Sequence, residues 1–181
     1  METNFDKEFL DLQKRVGKLE KGTKDQVTMV IFSGDLDKII AAMIISVGAA
    51  AMDSKVSLFF TFWATAALRD PNKSVKGKTF MGKMFGMMLP KGTPKLKLSQ
   101  MHMAGMGSKM IKGIMKKNNV PSLPEMFKTA GELGIQINVC EMSMNLMGMK
   151  KEEFIDYPNL NICGVATFLA DASESKVQLF I

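Results

Sequence analysis

Cys140 and Cys163 are the residues of this chain whose type and context best suit covalent chemistry. Cys140 closes the apolar run Ile135-Gln136-Ile137-Asn138-Val139 and is followed at once by Glu141-Met142-Ser143-Met144. That context predicts a thiol at a strand-to-helix junction, its sulfur facing the unpaired N–H groups of the first helical turn, which favour the thiolate. Such a thiolate carries sulfur by attacking a sulfane sulfur, an exchange of the same kind as thiol–disulfide exchange, and it needs no general base. Cys163 has the same placement after Leu160-Asn161-Ile162, with Gly164 behind it, and is a second candidate thiol. If the two strands are neighbours, one sulfur could resolve the other. The plain alternative is that both cysteines pack as small buried hydrophobes.

Other reaction classes lack residues. The single histidine, His102, lies in a methionine-rich stretch far in sequence from any strand end, which leaves Ser-His-Asp or Cys-His catalysis one available base. The turn Ser33-Gly34-Asp35 holds one glycine, too few for a GxGxxG or Walker phosphate loop. CxxC and HExxH spacings are absent, and no cofactor is expected.

These residues need a scaffold to position them, and the hydrophobic pattern supplies one. Five runs read as strands: from Gln26 through VTMVIFS, Val56 to Phe62, Ile135 to Cys140, Leu160 to Cys163 and Lys176 to Ile181. Helical patterns over about 36–52, 100–118, 122–133, 143–147 and 164–173 separate most of them. Alternating strands and helices predict an α/β fold with a parallel sheet covered on both faces. Ligands of such sheets bind beyond the carboxyl ends of the strands, which selects Ser33 and Gly34, Phe62 and Trp63, Cys140 to Ser143, and Cys163 and Gly164. Asp35 reads as an ordinary N-cap, and Trp63 as either core packing or a wall of the site.

Ahead of the first strand, Phe5, Phe9, Leu12, Val16 and Leu19 follow the alternating four-and-three spacing of a coiled-coil seam. Residues 1–24 are therefore expected to hold an amphipathic helix, packed on its own domain or used for self-association. Residues 25–181 read as a single domain.

The net charge of +6 is unevenly distributed. Residues 71–124 hold eleven lysines and no acidic residue, so the rest of the chain, with 13 basic and 18 acidic residues, sums to −5. The same stretch holds nine of the 18 methionines, and the insert at about 71–120 is both cationic and soft. It has three readings, in order: a packing or oligomer contact, an adaptable docking surface for an acidic partner, and a thioether site at Met101, His102 and Met103 for copper(I). Without arginine and with few aromatics, it does not suggest nucleic-acid binding. Two cysteines are too few for a secreted disulfide scaffold, no leader pattern opens the chain, and the longest apolar run has 14 residues, so a cytoplasmic protein without a membrane span is expected.

The segments IFSGDLDKIIAAMIISVGAAAM, VSLFFTFWATAALR, VCEMSMNLMGMKKEEFID and GVATFLADA, with the insert beginning MMLPKGTPKLKLSQ, resemble the DsrE/DsrF-like sulfur-relay family from about Gln26 onward. The branch in question is often labelled peroxiredoxin-like, but the peroxidatic PxxxTxxC pattern is missing and that label is not adopted. The resemblance implies a three-layer α/β/α fold with a five-stranded parallel sheet, homo-oligomers, and a sulfur-accepting cysteine at Cys140. It also implies donor and acceptor proteins of the rhodanese-like or Tus type. A persulfide carrier is thus the expected function, with Met142, Ser143, Ser33, Gly34 and Trp63 as candidate pocket residues. A non-enzymatic scaffold or soft-metal binder built on the insert is the alternative.

Overall fold

The computed structural model describes residues 4–22, 24–75 and 77–181. Helix α1 (Asn4–Gly22) leads into β1 (Lys24–Ile31), α2 (Leu36–Ala51) and β2 (Lys55–Phe60). After a 3-10 segment at Phe62–Leu68 come α3 (Phe80–Met88), α4 (Met106–Lys117), α5 (Leu123–Glu132), β3 (Gln136–Cys140) and α6 (Glu141–Leu146). The chain ends with β4 (Leu160–Cys163), α7 (Val165–Glu174) and β5 (Ser175–Phe180).

The strands form one sheet in the order β4-β3-β2-β1-β5, every pairing parallel. This order explains the layers. The connections from β1 to β2 and from β2 to β3 step in one direction, and right-handed crossovers put α2 and α5 on one face. The return from β4 to β5 runs the other way, so α7 lies on the opposite face. The result is the three-layer α/β/α fold expected.

The two sheet faces differ because each strand alternates. Met29, Ile31, Leu58, Phe60, Ile137 and Val139 point toward α2 and α5 and are fully buried. Gln26, Thr28, Ser57 and Asn138 point the other way and are buried too. Asp171 of α7 serves this polar row, accepting from Ser57 Oγ at 2.7 Å and Asn138 Nδ2 at 3.5 Å, while Thr28 and Ser175 pair their hydroxyls at 2.6 Å. Buried polar groups tolerate desolvation only when partnered in this way.

Several local expectations are corrected. β2 ends at Phe60 rather than Phe62, because Phe62 has φ 45° and starts the 3-10 segment. The helix expected from 100 begins at Met106. Met101, Met103 and Ala104 all have left-handed φ, and a Cβ on Gly107 would meet the Met101 carbonyl oxygen, so the chain turns tightly there before the helix can start. Helix α3 lies beyond the helices the hydrophobic pattern predicts, because Gly82 and Gly86 weaken its propensity. Thr79 caps it by accepting from the Gly82 N–H at 3.2 Å.

The insert is fastened to the sheet domain by two devices. Arg69, nearly fully buried, donates to the carbonyls of Gly86, Leu89 and Pro90 and to Glu153 Oε2, while Lys78 pairs with Glu153 Oε1. Gly82 of α3 also presses on Gly148, where a Cβ would fall 2.4 Å from the Gly82 Cα. On α1, Phe5, Phe9, Leu12 and Val16 are exposed, so they do not pack on the domain; Leu19 lies outside the described side chains. Among the described residues no helix is long and apolar enough to cross a membrane.

Candidate thiol site

Cys140 is the last residue of β3 and the N-cap residue of α6. Its β-region backbone turns the chain directly from strand to helix, so no loop separates the thiol from the first helical amides. The side chain is 4% exposed. Burial by itself pushes the thiol pKa up, but the Ser143 hydroxyl and amide, the Thr61 hydroxyl and the Met142 amide all donate toward the sulfur and hold it below the ordinary thiol value. Helix α6 has six residues, so these individual donors, rather than a long helix dipole, favour the thiolate.

Thr61 was not singled out from the sequence. It follows β2, the strand beside β3, and its hydroxyl lies 2.8 Å from that of Ser143. The available clue was a hydroxyl residue immediately after a buried strand, two residues before Trp63.

Cys163 faces Cys140 directly: the two residues are Cα partners in the parallel β3–β4 pairing. Its environment is opposite in effect. Burial raises its pKa, a hydrogen bond from Thr167 lowers it, and the charges of Cys140 and Asp171 raise it again. Cys163 is half-buried, and both cysteines are free.

The remaining candidates divide. Met142 and Ser143 stand at Cys140. Ser33 and Gly34 follow β1, on the far side of β2. There Ser33 Oγ donates to Asp35 Oδ2 at 2.8 Å, and a Cβ on Gly34 would lie 2.6 Å from the Trp63 carbonyl oxygen. Trp63 is 48% exposed beside that turn. Asp35 occupies the N-cap position of α2, but its carboxylate holds Ser33 and Lys38 rather than the helix amides. The strand order reverses between β1 and β5, where such sheets often bind ligands, and Phe32 fills that end by stacking on Phe180 and meeting Phe62.

Met101 and Met103 are exposed in the insert, and His102 Nδ1 lies 3.3 Å from Ser108 Oγ. Among the described residues no group of three or more His, Cys, Asp or Glu side chains is arranged to hold a metal ion.

The model of the DsrE/DsrF/DrsH-like family matches residues 23–180. This chain belongs to that family. The match covers the whole sheet domain of this DsrE/DsrF/DrsH-like chain and leaves α1 ahead of it. The uncharacterized protein YrkE of Bacillus subtilis (strain 168) is 48% identical over 156 residues, spanning 86% of this chain and 96% of that protein. The sulfur carrier protein DsrE2 of Allochromatium vinosum is 32% identical over 157 residues, 86% of this chain and 98% of that one. Among solved structures, the ychN protein from E. coli shares the fold, with a TM-score of 0.50 at 10% identity over 88% of this chain and 99% of that chain.

Proposed function

We propose that this protein is a persulfide carrier that accepts sulfane sulfur on Cys140 and hands it to a partner thiol. The observation that carries this reading is the place of Cys140 at the end of β3 and the N-cap of α6, where the neighbouring Ser143, Thr61 and Met142 groups lower its pKa despite burial. Membership in the DsrE/DsrF/DrsH-like family and the likeness to a protein named as a sulfur carrier support it. In the loading step the Cys140 thiolate attacks the outer sulfur of a donor persulfide. A new S–S bond forms to Cys140, the donor's S–S bond breaks, and the donor leaves as a thiolate. Handover repeats the step, with the acceptor thiolate attacking the outer sulfur and Cys140 leaving. The donors that stabilise Cys140 as a thiolate also make it a good leaving group.

Rhodanese-like or Tus-type proteins are the donor and acceptor that the family resemblance implies. The working form is taken to be a homo-oligomer in the cytoplasm, with the exposed Phe5, Phe9, Leu12 and Val16 of α1 as one contact. The test is mass spectrometry of the reduced protein after exposure to polysulfide. A one-sulfur adduct on the Cys140 peptide, lost in Cys140→Ser, is the expected result. Loading that persists undiminished in Cys140→Ser sinks the proposal.

A further inference from the structure

The β3–β4 pairing places Cys140 and Cys163 side by side, and the carrier reading gives Cys163 no task. Directly paired residues on neighbouring strands point to the same sheet face and lie about 4.8 Å apart, inside the Cα span that a disulfide bridges. Val139 and Ile162 are partners one step earlier and Asn138 and Asn161 two steps earlier, so the register is continuous up to the two cysteines. Neither thiol is committed elsewhere by a disulfide, and the charge of Cys140 is felt at Cys163.

We propose that Cys163 is the resolving thiol of this site, discharging a Cys140 persulfide as hydrogen sulfide and leaving a Cys140–Cys163 disulfide. The step rests on the carrier reading above, since it begins from sulfur loaded on Cys140. The Cys163 sulfur attacks the inner sulfur, the Cys140 Sγ. The bond from Sγ to the outer sulfur breaks, the outer sulfur leaves as hydrosulfide, and the proton given up by Cys163 completes hydrogen sulfide. No external oxidant is consumed, because the oxidising equivalent held in the persulfide passes into the disulfide. Resetting the site takes a thiol reductant, two thiols becoming one disulfide as both cysteines return to the reduced state.

The two environments set the order of events. Cys140, held toward the thiolate, meets the donor first. Cys163, held toward the thiol by burial and Asp171, waits until a persulfide lies against it. Burial of Cys140 restricts access by bulky acceptor thiols, whereas Cys163 is already in place and half-exposed. Cys163 therefore competes with the acceptor and limits how long uncollected sulfur stays on the carrier.

The experiment loads full-length reduced protein with inorganic polysulfide, removes the excess, and follows intact mass, cysteine peptides and released hydrogen sulfide without added thiol. Unloaded protein is treated with diamide in parallel. In the wild type the Cys140 adduct decays while hydrogen sulfide and a Cys140–Cys163 disulfide accumulate together. Cys163→Ser and Cys163→Ala keep the adduct and release no hydrogen sulfide. Diamide closes the same disulfide in the wild type. Equal decay in wild type and both variants, sulfur recovered on Cys163, or failure of diamide to close the pair each overturns the discharge step alone. Absence of any adduct on Cys140 overturns the carrier reading and the discharge step with it.

Discussion

The hydroxyls of Thr61 and Ser143 lie 2.8 Å apart, both buried, one following β2 and the other in the first turn of α6, and both donate toward Cys140. One hydroxyl therefore bonds the other while both lower the Cys140 pKa. Removing either hydroxyl moves the Cys140 pKa upward, toward the value that burial favours. In a Cys163→Ser background, Ser143→Ala and Thr61→Val should both shift the pH midpoint of Cys140 alkylation upward and slow alkylation at neutral pH. The Ser143 change should have the larger effect, because that hydroxyl is the leading stabilising group. An unmoved midpoint in both variants would show that the hydroxyls do not tune the thiol.

The two cysteines should titrate in opposite directions from an ordinary thiol. Peptide-resolved alkylation across a pH series should place the Cys140 midpoint below that of Cys163. Asp171→Asn removes a charge that raises the Cys163 pKa, so the Cys163 midpoint should fall while that of Cys140 stays. A common midpoint for both cysteines in the native protein would contradict the described environments.

A pH dependence of stability follows from Cys140. Its folded pKa is depressed, so the contribution is fully present above the unfolded thiol value and is lost as pH falls through the folded value. Wild-type unfolding free energy relative to Cys140→Ser should therefore rise from neutral pH toward mildly alkaline pH. Urea titrations at several pH values measure this difference directly, and a difference that shrinks over that range would reverse the sign argued here.

Glu153 balances two buried cations. Glu153→Ala leaves Arg69 and Lys78 desolvated without their carboxylate, and the loss expected for breaking a buried pair is about 3–5 kcal/mol. Chemical denaturation checks the figure, and a change close to zero would mean that the cluster relaxes into solvent.

Gly148 has φ 59° and touches the backbone of Gly82. Gly148→Ala should cost about 1–3 kcal/mol in backbone strain, with a further cost from the collision with α3. Hydrogen exchange should speed up most in residues 80–88, with the strand amides protected as before. Uniform loss of protection across the sheet would assign the effect to the core instead.

Much of the scaffold is legible along the chain because its causes are local. Runs dense in β-branched and apolar residues mark β1 to β5. The place of Cys140 between strand and helix follows from its own neighbours. Where local signals conflict, the elements depart from the pattern: α3 carries Gly82, which packing against Gly148 requires, and α4 starts late because a left-handed turn, invisible in methionine spacing, precedes it.

Most of the strands and helices, the family resemblance and the position of both cysteines at strand ends before helices are written in the local sequence, since each depends on residues within a few positions of one another. Tertiary structure alone decided that Thr61 reaches Ser143 across 82 positions, that Cys163 faces Cys140, and that Ser33 and Gly34 lie beyond β2 from the thiol. Those relationships depend on strand order and register. Both are set by burying the apolar face of every strand against α2 and α5 at once, a condition on the whole chain that no local window contains.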